Sequence, residues 1–123
     1  MQIKVNCDKE IAEMEHFWRS TGFTPAELLL RADMQQTLSY YGAVANDGIK
    51  YLRIHYFLNL TKAYNLEKDS PEYDWSQLDK ALDILINNGL KPFFELMGNP
   101  NPDYFNDFSD SQQVHSWKDF VKE

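Results

Sequence analysis

The stretch Gly48-Ile49-Lys50-Tyr51-Leu52-Arg53-Ile54-His55 decides how the chain is read. With a period of two, Leu52 and Ile54 share one face, and Tyr51, Arg53 and His55 share the other. A half-solvated antiparallel strand also alternates, so the flanks must decide. A helical pattern precedes the stretch and another follows it, which is the order expected of a parallel βαβ unit. In such a unit Leu52 and Ile54 pack on helices. Arg53 and His55 then lie at the carboxyl end of the strand, where α/β folds place their ligands.

Working outward, Phe17 to Phe23 reads as a preceding strand. It runs into Thr24-Pro25-Ala26-Glu27, a capping threonine with proline at the first helical position and glutamate three residues after the cap. The helix predicted from there carries Leu30, Met34, Leu38, Tyr41 and Ala45 on one stripe and closes at Asn46-Asp47-Gly48. On the other side, Phe57 to Tyr73 reads as a long polar connection. Asp74 is the expected cap of a second helix, with Trp75, Leu78, Leu82 and Leu85 on its apolar face and Gly89 at its end. Leu90 to Met97 is the next expected strand, and Gly89-Leu90-Lys91 repeats the pattern of Gly48-Ile49-Lys50. A loop with two Asn-Pro pairs, Asn99-Pro100 and Asn101-Pro102, leads to a third helix over Gln112 to Glu123.

The fold class is therefore α/β. Three strands suited to a parallel sheet, each followed by a helix, make the first three βα units of a (β/α)₈ barrel, which takes about 250 residues when complete. A small open sheet is the alternative. Gln2 to Asn6 alternates and is expected as a short N-terminal strand. Residues 1–15 thus form a strand and linker, and residues 16–123 the barrel portion.

The totals narrow the function. At 123 residues there is room for one modest core, and 43% hydrophobic with 25% charged residues is ordinary globular composition. A net charge of -7 argues against nucleic acid or an anionic membrane as the main partner. Cys7 is the single cysteine, so no internal disulfide forms. No apolar run approaches a membrane span, and residues 1–15 lack the core of a signal peptide. The default expectation is a soluble, cytoplasmic protein, with secretion open if a leader precedes residue 1. His16, His55 and His115 have no metal-like spacing.

Several segments resemble the glycoside hydrolases of family thirty-nine, the β-xylosidases and α-L-iduronidases. The matching pieces are Phe17-Trp18-Arg19-Ser20-Thr21-Gly22-Phe23, Gly42-Ala43-Val44, Gly48-Ile49-Lys50, Arg53-Ile54-His55, Phe94-Glu95-Leu96-Met97-Gly98, and Gln112 to Asp119. They run in order across residues 17–119. The resemblance implies a retaining glycosidase on a (β/α)₈ barrel with an added β-sandwich that takes the N-terminal strand, needing no cofactor or metal and acting on a carbohydrate substrate. It implies that His55 binds sugar hydroxyls and that Arg53 holds catalytic carboxylates in place. The family's acid/base is the glutamate of an Asn-Glu pair after the fourth strand, and its nucleophile a glutamate on the seventh. This chain has no Asn-Glu pair. The expectation is an N-terminal segment that carries substrate contacts but not the catalytic pair, inactive by itself and prone to self-association through open strand edges. A non-catalytic carbohydrate-binding or structural module is the alternative.

Iduronidases carry a longer, proline-rich loop where only Thr24 to Glu27 stand here, so the short loop is more similar to the β-xylosidases, and the expected activity is that of an exo-acting, β-xylosidase-like glycosidase. Glu95, at the end of its strand, is the expected ionic partner of Arg53, because a charge on a sheet interior must be paired. Tyr56, Phe57, Tyr64, Tyr73, Tyr104 and Phe105 are candidates for stacking on sugar rings, most of them more simply read as packing. Trp18, Trp75 and Trp117 are expected in the core or between strands and helices. Asn99 and Asn101 read as ligand contacts or as turn chemistry.

Overall fold

The computed structural model describes residues 1–123 except Met14, His16, Thr24, Asp47 and Asp69. The expected cap at Thr24, the closing residue Asp47 and the spacing of His16 therefore lie outside the described residues.

Strand β2 (Tyr51–Ile54) is the centre of a three-stranded sheet, flanked by β1 (Ser20–Phe23) and β5 (Lys91–Phe94), and both pairings are parallel. Arg53 stands opposite Gly22 on one side and Phe93 on the other. The predicted alternation is present: Leu52 and Ile54 are fully buried, while Tyr51 and Arg53 are exposed. The buried face packs on α1 (Ala32–Gly42) through Leu38 and on α2 (Ser76–Asn87) through Leu78, Ala81 and Leu85. Each aliphatic side chain removed from water there contributes about 1.5–3 kcal/mol. Helices thus cover one face of the sheet, and the opposite face, with Tyr51, Arg53 and Phe93, stays open.

The first predicted helix divides in two. A 3₁₀ turn over Ala26–Leu30 ends at Arg31, which is extended (φ -85°, ψ 139°), and α1 starts at Ala32. Tertiary contacts override the continuous stripe. The Ala26 N–H donates to the His55 carbonyl at 3.1 Å, and Ala26 and Leu29, three residues apart, are both fully buried. That spacing eclipses in a 3₁₀ turn. Arg31 then re-aims the chain so that Leu38 reaches the core, and its guanidinium grips Asp33 in the first turn through two hydrogen bonds. Ala45, expected on the stripe, lies past the helix and is exposed. The helix ends at Gly42, where a Cβ would come within 2.1 Å of the Asn88 carbonyl oxygen, so α1 and α2 meet backbone to backbone.

The connection over 57–73 is more ordered than its composition suggests. It begins with a 3₁₀ turn, Phe57–Leu60, and then forms an antiparallel hairpin of β3 (Lys62–Tyr64) and β4 (Glu72–Asp74). The hairpin is held by a second, smaller core of Ala63, Leu66 and Phe105, packed by Tyr73, Tyr104 and Trp117. The cap position of α2 is Trp75 rather than the expected Asp74, which ends β4 one residue earlier; Asp74 Oδ1 still accepts from the Ser76 N–H at 2.9 Å, and Gly89 at φ 71° follows α2. Helix α3 (Ser111–Lys122) is capped by Asp110, whose Oδ1 accepts from the Gln112 N–H at 2.8 Å. Its Phe120 stacks on Trp75, ring centroids 5.1 Å apart.

Two expectations need correction. Gln2 to Asn6 form no strand: Ile3 and Val5 are exposed, and among the described residues none pairs with them. An alternating segment becomes a strand only when a neighbour takes its backbone hydrogen bonds. Trp18 is not in the core but half-exposed beside Phe17, edge to face at 4.6 Å. No helix among the described residues is long and apolar enough to cross a membrane.

Candidate functional site

Because β2 and β5 run parallel with Ile54 opposite Phe94, the residues that follow them, His55 and Glu95, emerge side by side at the carboxyl end of the sheet. Arg53, two residues before His55, points to the same open face. The three side chains converge. Arg53 Nε donates to Glu95 Oε1, and His55 Nδ1 lies 2.6 Å from Glu95 Oε2. The Glu95 side chain is 16% exposed, whereas Arg53 is 54% exposed.

The protonation pattern follows from the partners. The Arg53 guanidinium bonded to Glu95 holds its carboxyl below the usual carboxylate range; partial burial opposes this, and the His55 hydrogen bond adds to it. An ionised carboxylate only accepts, so the proton between His55 and Glu95 sits on Nδ1. That fixes the ring and leaves Nε2 without a hydrogen-bond partner among the described residues. The remaining guanidinium N–H groups of Arg53 are likewise on the open face. The arrangement presents a fixed imidazole edge and a cation to whatever occupies that face, with Glu95 as their common anchor.

The loops at this end are tied together. Leu58 N–H donates to the Met97 carbonyl at 3.1 Å. The Asn59 amide donates to Glu27 at 3.1 Å and accepts from the Asn99 N–H at 3.1 Å, so one side chain joins the segments that follow β1, β2 and β5. Gly98, at φ 109°, lies against Asn59, where a Cβ would approach its backbone nitrogen to 2.8 Å. Sequence reading missed Asn59. The available signal was an amide inside the apolar run Phe57-Leu58-Asn59-Leu60.

Arg53, His55 and Glu95 are all brought together; of the other candidates Tyr56, the next residue in the chain, adjoins them. Phe57 is buried and stacks on Phe94 at 4.7 Å, and Tyr73, Tyr104 and Phe105 belong to the second core. Asn99 and Asn101 use their amides on the Phe105 and Ala63 carbonyls, which is loop anchoring. Tyr56 and Tyr64 stay exposed. A cleft of about 330 Å³ between the hairpin and α3 lies on separate elements, lined by Lys68, Tyr73, His115 and Asp119 among others, with Asp119 already paired to His115 and Lys122. Among the described residues no group of three His, Cys, Asp or Glu side chains could hold a metal ion.

The description of glycosyl hydrolases family 39 matches residues 1–123. The chain belongs to glycosyl hydrolase family 39. Within that family it is 41% identical to the α-L-iduronidase of Mus musculus and 39% identical to that of Homo sapiens, in each case over 97% of this chain. It is 27% identical to a β-xylosidase of Caldicellulosiruptor saccharolyticus over 78% of the chain. A solved structure described as the bacterial orthologue of human α-L-iduronidase superposes with a TM-score of 0.76 and 54% identity, covering 88% of this chain and 17% of that one. The chain spans 20% of the mouse relative and 19% of the human one.

Proposed function

We propose that this family 39 chain forms the first three βα units of a (β/α)₈ glycosidase barrel and carries part of its sugar-binding edge. Residues 16–123 make up that barrel portion. Within residues 1–15, the segment Gln2 to Asn6 becomes a strand of an accessory sandwich only against partner strands, and the rest is linker. The observation that carries the reading is Glu95 bound on one oxygen by Arg53 and on the other by His55, at the carboxyl ends of neighbouring parallel strands.

The activity is retaining hydrolysis of O-glycosides. This chemistry needs two carboxyl groups about 5–5.5 Å apart, one a nucleophile and one an acid that becomes a base. Glu95 suits neither role. An acid must hold a proton, yet Glu95 is kept ionised, and both its oxygens are occupied. Its role is to support: it fixes His55 so that Nε2 meets sugar hydroxyls, and it holds Arg53 beside the place where catalytic carboxylates act. Lacking the family's Asn-Glu pair, the 123-residue chain alone hydrolyses no aryl glycoside; turnover of one by the purified chain would refute that.

An α-L-iduronide is the favoured substrate class, on the higher identity to iduronidases. A β-xyloside is the second reading, favoured by the direct passage from β1 through Pro25 into the 3₁₀ turn, with no longer loop between. Titrating the chain with methyl α-L-iduronide and methyl β-D-xyloside while following the His55 ring by NMR tests the site and ranks the two sugars. Shifts of the His55 ring and of the backbone amides around it are expected, with the iduronide binding more tightly, and the amide shifts should be lost in His55→Phe. A ring insensitive to both sugars would end the reading.

A further inference from the structure

We propose that Tyr56 is the aromatic platform of this site, its ring lying against the apolar C–H face of the sugar whose hydroxyls His55 engages. The inference rests on the sugar-binding reading above.

Tyr56 follows His55 directly and adopts a left-handed backbone, φ 63° and ψ 34°. For a bulky L-residue that region is disfavoured. The other non-glycine residues described at positive φ are Asn46 (58°) and Asn65 (55°), and asparagine tolerates the conformation well. The fold explains why the backbone must turn here. It swings the chain off β2 so that Phe57 enters the core against Phe94 and the Leu58 N–H reaches the Met97 carbonyl. Glycine or asparagine would make the same turn with less strain. What they lack is the ring.

The ring lies outside the two packed cores. Tyr56 is 45% exposed and belongs to neither core cluster. Its ring neighbour is the His55 imidazole, with centroids 6.3 Å apart and planes tilted by 55°. An exposed aromatic surface therefore stands next to a fixed hydrogen-bonding edge, on a strained turn. A pyranose has the matching chemistry, with hydroxyls around its rim and C–H groups on its faces. Small-molecule sites combine these features in the same way, an apolar or aromatic wall with few placed polar groups.

The test is the same NMR titration with methyl α-L-iduronide and methyl β-D-xyloside, now on Tyr56→Phe and Tyr56→Gly beside the parent chain. Tyr56→Phe should bind within about twofold of the parent, and Tyr56→Gly should bind about tenfold more weakly, the range an aromatic contact supplies. Tyr56→Gly should also melt no lower than the parent, because glycine relieves the turn. Should glycine loosen the turn instead, Tyr56→Asn, which accepts the same backbone, carries the comparison. A Gly or Asn variant that binds like the parent overturns the platform and leaves the His55 site standing. No response of His55 in the parent chain overturns the site and the platform with it.

Discussion

Glu95 accepts from two different side chains through its two oxygens, and a neutral amide cannot do that. In Glu95→Gln the single oxygen serves either Arg53 or His55, and the NH₂ group meets a donor on the other side. The expected outcome is a His55 ring released from its Nδ1–H form, seen as a changed imidazole ¹⁵N pattern; identical spectra for the two proteins would contradict the assignment. Acid has a related effect. Glu95, Asp33, Asp74, Asp107 and Asp119 are all held below their usual range by hydrogen bonds made in the folded chain, first among them those from Arg53, Arg31, Ser76, Ser109 and Lys122 respectively. A folded carboxyl with a lowered pKa contributes stability that is present above its unfolded value and is lost as pH falls through the folded one. The melting temperature should hold near neutrality and drop below about pH 4, where unfolded carboxylates protonate. A melting temperature unchanged down to strongly acid pH would show that these bonds do not favour the folded state. Arg53 and His55 were legible in the sequence because they lie on the polar side of an alternating strand, and Glu95 because it is a carboxylate at the carboxyl end of the next one. Asn59 was not, because its partners lie 32 and 40 residues away and only the folded chain brings them near.

Two glycines with positive φ separate local strain from tertiary contact at the level of the elements. Gly89, after α2, has open space where a Cβ would go, so Gly89→Ala should cost roughly 1–2 kcal/mol from its left-handed backbone alone. Gly98, in the loop after β5, has Asn59 within 2.8 Å, so Gly98→Ala adds a clash to the strain and should cost about 3 kcal/mol or more. Chemical denaturation of the two variants checks the order; equal losses would mean that the Asn59 contact adds nothing. Strand β2 was readable because Leu52 and Ile54 alternate with charged and aromatic neighbours, and α2 because its apolar face and terminal glycine agree. The break at Arg31 was hidden, since Leu30, Met34 and Leu38 keep helical spacing across it. The hairpin was hidden too: strands of three residues are too short to show a period.

Across the whole molecule, one sheet face is covered by helices and the other is open. Tyr51, Phe93, Phe94, Leu96 and Met97 are exposed on or beside the sheet, Phe93 at 57%. Among the described residues no strand pairs with the outer edges of β1 and β5. Unpaired edges beside exposed aromatics favour association between chains. Sedimentation of the isolated chain should therefore show a mass that rises with concentration, and a monomer at every concentration would contradict this.

The single amide of Asn59, which donates to Glu27 and accepts from the Asn99 N–H, also sets terms for engineering. A designer who transplants a longer insert between β1 and the first 3₁₀ turn to alter sugar preference removes or displaces Glu27, and with it one of the two hydrogen bonds of that amide. Such a graft should retain a carboxylate at that point or supply another acceptor, or the neighbouring turns will drift and take the histidine with them.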